Sequence, residues 1–176
     1  MMNDNQLQRL LKNNQISNEA FERIAYRALL LGTFETICKE IKRKQTATEE
    51  LSRFRKSSNP VFVTKGIVER YVGCVLSDDE YEQLYLYLKA FFRKNNQRKT
   101  FPNAFKEELL KKQKWKCPYC GKEIDLTKAH LDHIIPWDFV GDELAENYQM
   151  LCTICNEKKG TSSYFEFITL LQHVKE

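Results

Sequence analysis

Apolar residues recur at intervals of three and four through most of the first hundred positions, the spacing that lines one face of a helix. In "SNEAFERIAYRALLLGTFETICKEIKRK" the face is Phe21, Ile24, Ala28, Leu31, Phe34, Cys38 and Ile41, and Ser17 or Asn18 is placed to cap the first turn. Gly32 sits inside that helix at a small cost. A short polar helix, "NDNQLQRLLKNN", precedes it. "TATEELSRFRKSS" follows, capped by Thr46 or Thr48, and stops before Asn59, which Pro60 pushes out of the helical region. "VFVTKGIVERYVGCVL" is ambiguous: Val61–Thr64 can be extended and the rest a buried helix. "SDDEYEQLYLYLKAFFRKN" opens on Ser77 as cap, with acids in its first turn and Arg93 and Lys94 in its last, charges that suit the helix dipole. The polar, basic stretch "NNQRKTFPN", punctuated by Pro102, marks the expected boundary between a helical region, residues 1–100, and a second domain, residues 101–176. That domain opens on a helix, "NAFKEELLKKQKWK", which runs into a pair of cysteines.

Composition narrows the class. Hydrophobic content of 42% and charge of 30% are those of an ordinary globular protein. The polar start lacks a signal-peptide core, and the longest apolar run, "ALLLGTF", is too short to span a bilayer, so no membrane role and a cytoplasmic location are expected. In a reducing compartment six cysteines point to metal ligands or buried thiols rather than disulfides. The net charge of +4 is unevenly spread: residues 1–100 carry 18 Lys+Arg against 12 Asp+Glu, and the remainder is slightly acidic. Excess positive charge attracts phosphate backbones, although a solvated helical surface explains it as well.

Cys117 and Cys120 form one Cys-x-x-Cys, and Cys152 and Cys155 form another. Each two-residue gap lets two thiolates of a tight turn face one ion, and two such turns complete a four-thiolate shell suited to structural Zn²⁺. The competing readings are a redox pair or unrelated buried thiols; Pro118 and Gly121, which make a knuckle turn, favour zinc. Cys38 and Cys74 lie in apolar helical contexts and read as core thiols. Between the pairs lies "AHLDHIIP", then "ENYQMLC", then "CNEKKG". Asp132 and His133 are adjacent, so on a strand their side chains point to opposite faces. His130 reads as an exposed strand residue, His173 as a bystander in a C-terminal helical tail, and Trp137 and Tyr148 as core aromatics.

Taken in order, the two Cys pairs, "DHIIP", an Asn fourteen residues after the His, "LCTICN" and "KKG" resemble the HNH endonuclease family over about residues 101–160. The resemblance implies an α+β chain: the helical region followed by a ββα-metal domain with a four-cysteine zinc knuckle, its helix starting near Thr153. It implies that His133 is the general base, that Asp132 and Asn156 hold a catalytic divalent ion, and that Asn147 orients the histidine and its loop. Asparagine at 156, where many relatives have histidine, makes this an HNN form. The chemistry agrees: an imidazole titrates near neutrality and can take a proton from water, and oxygen ligands favour Mg²⁺ or Mn²⁺. The activity expected is metal-dependent cleavage of nucleic acid, DNA in preference to RNA, in the setting of restriction or antiviral defence. Lys158 and Lys159 are placed to grip phosphates, or to do no more than solvate a helix end.

The resemblance does not extend to the helical region, residues 1–100. From Lys89 to Lys116 ten Lys+Arg face two Asp+Glu, and Arg93, Lys94, Arg98 and Lys99 lead directly into the second domain. A basic arm would supply backbone affinity. The other reading is a docking surface for a partner protein on residues 1–100, weakly supported by the aromatic helix "DDEYEQLYLYLKAFF". A zinc-structured binding or docking module without catalysis is the opposing class; it would need neither His133 nor Asn156.

Overall fold

The computed structural model describes residues 4–13 and 16–163; His173 lies outside them. Its elements are α1 (Asp4–Asn13), α2 (Asn18–Lys44), α3 (Ala47–Lys56), α4 (Pro60–Tyr71), α5 (Asp78–Arg93), α6 (Asn103–Lys112), β1 (Ala129–His133), α7 (Trp137–Val140), β2 (Tyr148–Cys152) and α8 (Thr153–Lys159). The chain is therefore α+β, helical first and carrying one two-stranded antiparallel sheet late in the sequence. No helix among the described residues is long and apolar enough to cross a membrane.

Local chemistry explains the starts of the helices. The Ser17 hydroxyl accepts the Ala20 N–H at 3.1 Å, which makes it the cap of α2. Ser77 and Glu80 form a reciprocal capping box on α5. Thr46 caps α3 without a side-chain bond, because its hydroxyl meets the Tyr71 hydroxyl at 2.6 Å instead. The segment from Val61 to Thr64 is helical, not extended. Asn59 accepts the Phe62 N–H at 3.0 Å, and Pro60 occupies the first turn, where its missing N–H costs nothing. The same proline that ends one helix thus begins the next.

Two apolar clusters organise the packing. The larger joins Leu31, Phe34, Ile37, Cys38 and Ile41 of α2 to Ile67 and Val68 of α4 and Leu84 and Leu88 of α5. The apolar positions of α5 are buried in this cluster or packed against it, Leu86 excepted, which accounts for its broad apolar surface. Glu50, wholly buried, ties α3 to α4: it pairs with Arg53 and with Arg70 at 2.7 Å each and accepts the Tyr71 hydroxyl at 3.0 Å. The smaller cluster joins Leu110 of α6, Ile124, Met150 and Leu151 to the thiols Cys117 and Cys155.

The larger cluster extends beyond residue 100. Ile135 and Val140 are buried in the larger cluster, and Phe139 meets Phe34 edge-on at 6.0 Å. The loop between β1 and β2 therefore takes its packing from the helical region. Residues 94–99 close the arrangement. Gly141 has a φ of +58°, and a Cβ on it would come within 3.1 Å of Lys94 Cγ and 3.3 Å of the Asn95 carbonyl oxygen. Only glycine admits the chain there.

Candidate active site

β1 and β2 pair with Asp132 opposite Gln149 and His133 opposite Tyr148. The outer edge of β2 is held by α6: Gln113 Nε2 donates to the Met150 carbonyl and Gln113 Oε1 accepts the Met150 N–H, both at 2.8 Å. The helix that follows, α8, begins immediately after β2, so the sheet and α8 together present Asp132, His133 and Asn156 on one open cleft of about 260 Å³. Arg98 and Lys159 line the same cleft. A larger cleft of about 430 Å³ lies between α2, α5 and the β1–β2 loop, but its lining is mainly apolar and holds none of these groups.

The four cysteine thiols lie within 4.8 Å of one another. Cys120 Sγ and Cys152 Sγ are 3.7 Å apart, close to the edge of a tetrahedron of roughly 2.3 Å metal–sulfur bonds. At Cys117 burial works to raise the thiol pKa, but backbone N–H bonds from Cys120, Cys152 and Tyr119 outweigh it and hold it at about 7. The Cys155 N–H points at Cys152 Sγ, 3.5 Å away. The cluster fits a four-thiolate metal site. Cys38, buried in the larger core, has its thiol pKa pushed well up by desolvation, and Cys74 packs against the same core.

Around Asp132 both oxygens are engaged. Gln149 Nε2 donates to Oδ2 at 2.8 Å, and Lys159 Nζ sits 3.0 Å from Oδ2 and 3.3 Å from Oδ1 while donating to the His133 carbonyl at 2.8 Å. Lys159 is 3% exposed, so it is not a solvated lysine at a helix end; its ammonium neutralises the buried face of the Asp132 carboxylate. Lys158, beside it, is exposed. Asp132 and Asn156, which line the same cleft, are oxygen donors of the kind a hard divalent cation takes, and such a cation would compete with the Lys159 ammonium for the Asp132 carboxylate.

Asn147 is 4% exposed and brackets one residue of the loop, its Oδ1 accepting the Ile135 N–H at 2.7 Å and its Nδ2 donating to the Ile135 carbonyl at 2.8 Å. The turn after His133 is thereby fixed. His133 places Nε2 at 2.8 Å from Asp142 Oδ1, and its ring lies 5.0 Å from that of Tyr148. Phe101 and Phe105 pack behind Tyr148. His130 is exposed and meets the Thr153 hydroxyl at 3.1 Å, outside the cleft.

The basic residues before α6 separate into distinct environments. Arg93 is exposed. Lys94 Nζ lies 4.3 Å from the Trp137 ring centroid and donates to the Asp138 carbonyl at 3.0 Å. Arg98 lies over the same ring at 4.7 Å, stacked beside the cleft. Trp137 is therefore covered by two cations rather than buried in a core. Lys99 faces Asp142, with its backbone N–H on Oδ2 and its Nζ on the carbonyl, both at 2.8 Å. Asp142 and Gln149 are the site residues that sequence reading misses. Only position could have singled out Asp142, which follows Gly141 nine residues after His133 and is otherwise one acid among many.

The family model described as HNH endonuclease matches residues 117–162 of the chain. The chain is 30% identical over 63 residues to a protein of Corynebacterium diphtheriae called "CRISPR-associated endonuclease Cas9". That match covers 35% of this chain and 6% of the relative, so the chain spans only a small part of that protein's length. No solved structure matches the chain significantly.

Proposed function

We propose that this chain, whose residues 117–162 carry the HNH endonuclease pattern, hydrolyses phosphodiester bonds of nucleic acid with His133 as general base. The observation that supports this reading is the convergence of Asp132, His133 and Asn156 on one open cleft, from a strand and a helix joined to it by the sheet. A binding module without catalysis has no use for that convergence.

In this reading the substrate strand lies along the cleft with its scissile phosphate between His133 and Asp132. His133 takes a proton from the attacking water. Asn147 keeps the histidine's turn rigid, so that the ring does not wander from the line of attack. Asp132 and Asn156 would hold a Mg²⁺ or Mn²⁺ ion, which when bound supplies neutralisation of charge on the leaving oxygen. Arg98, pre-set on Trp137, contacts a phosphate beside the scissile one, and Lys158 and Arg93 add backbone affinity from exposed positions. The four cysteines would hold Zn²⁺ as a structural ion that braces the hairpin. We take DNA as the favoured substrate and restriction or antiviral defence as the setting.

The test is cleavage of supercoiled plasmid and of single-stranded RNA with Mg²⁺ present, using His133→Ala as control. Wild type is expected to cut DNA faster than RNA, and the variant to be slower by about 10²–10⁴-fold while keeping its fold. A folded His133→Ala protein that cuts as fast as wild type would overturn the mechanism.

A further inference from the structure

We propose that Asp142 is the positioning residue of His133, and that Lys99 in turn fixes Asp142, so that the helical region holds the catalytic histidine in place. The inference rests on the reading of His133 as the base.

The contact is short and buried: His133 Nε2 is 2.8 Å from Asp142 Oδ1, with the two side chains 16% and 3% exposed. Three other donors converge on the same carboxylate. The Lys99 N–H reaches Oδ2 at 2.8 Å, Trp137 Nε1 reaches Oδ2 at 3.3 Å, and the Tyr148 hydroxyl reaches Oδ1 at 3.1 Å. Burial alone would raise the Asp142 pKa; these donors outweigh it and keep the carboxyl below its ordinary value. An ionised carboxylate only accepts hydrogen bonds. The hydrogen between the two groups therefore belongs to Nε2, and the lone pair of the neutral ring is on Nδ1.

This fixes the ring in two ways. The Asp142 bond sets the tautomer and the tilt about the Cβ–Cγ bond, and Tyr148 packs against the ring. A wrong tautomer would leave a hydrogen on the nitrogen that must accept a proton. Lys99 matters because it reaches Asp142 from the chain before α6, by both its N–H and its Nζ. Gly141 supports the same contact by letting Lys94 and Asn95 pass close to the loop. A purely structural role for Asp142 would lower stability when it is changed, but would leave the tautomer and the turnover of the folded protein alone.

The experiment uses the full chain labelled with ¹⁵N-histidine, with the His133 signals identified by their loss in His133→Ala. Ring nitrogen shifts of unaltered protein, followed to a pH at which the ring is neutral, are expected to show the hydrogen on Nε2. Asp142→Asn is expected to redistribute that hydrogen and to lower kcat by roughly 10²-fold, within what a general base contributes, with KM for plasmid unchanged. His133 found with its hydrogen on Nδ1 in unaltered protein overturns the proposal, and this reading does not depend on the variant folding. An Asp142→Asn protein as fast as wild type beside a dead His133→Ala removes this inference alone. A wild type that cleaves nothing removes the nuclease reading and this inference with it.

Discussion

The two cores of this chain are stabilised by different means. The larger buries Phe34, Ile37, Ile41, Ile67, Leu84 and Leu88 almost completely, and helix packing suffices to close it. Among the described residues the smaller fully buries Leu110, Ile124, Met150 and Leu151 besides two thiols, little apolar surface to hold a hairpin and a seven-residue helix. There a metal on the four clustered cysteines would substitute for hydrophobic mass. The candidate catalytic cleft belongs to the cysteine-cluster side, yet its loop is packed by the helical side through Ile135, Phe139 and Val140. The candidate site thus lies beside the cysteine cluster, while its loop is packed by the helical region.

The comparison breaks most visibly on metal removal. A strong chelator should strip the four-cysteine site and unfold the hairpin and α8, because binding free energy at such a site is folding free energy, about 10 kcal/mol or more. Circular dichroism should then retain most of the helical signal. Loss of all helix on chelation would mean that the cores are not separately stabilised. Next in size is Phe34→Ala, expected to cost about 3–5 kcal/mol in chemical denaturation. Because Phe34 touches Phe139, that variant should also slow cleavage, whereas Leu110→Ala, at about 2–5 kcal/mol, should loosen the knuckle first.

These expectations depend on features of unequal legibility. The Ser17 cap and the Ser77–Glu80 box are local, and a few residues of sequence define them. The paired cysteines are equally open to reading, since their spacing brings four thiols together, whereas the roles of His133, Asn147 and Asn156 rest on the family resemblance. Lys159 was not legible, because its burial depends on β1 lying across α8. Residues 94–99 looked like a linker for a related reason: their partners, Trp137, Asp138 and Asp142, are about forty residues further along. Val61–Thr64 is ambiguous in the sequence because a proline that ends one helix and one that starts another look alike from the N-terminal side.

A smaller effect sharpens the helical side. Glu50→Ala should cost about 1–3 kcal/mol, measured by thermal melting, since it leaves Arg70 and Tyr71 without their acceptor; both arginines are partly solvated, which limits the loss. The smallest expected change is Lys158→Ala. If it meets one phosphate, the slope of log affinity against log salt should fall by about 1, with folding and metal content untouched. An unchanged slope would assign Lys158 to the solvated surface alone.

Gln113 carries a consequence for the behaviour of the chain among its own copies. A two-stranded sheet has two open edges, and an open edge is a template on which another chain can add a strand. By binding both the N–H and the carbonyl of Met150, the Gln113 side chain imitates the backbone of a third strand and uses up the middle of that edge. Replacing Gln113 with leucine keeps a similar bulk but leaves the Met150 groups unmatched and available. Such a chain, with its active-site residues intact, is expected to self-associate through β2 as its concentration rises, which light scattering would register as a growing particle size.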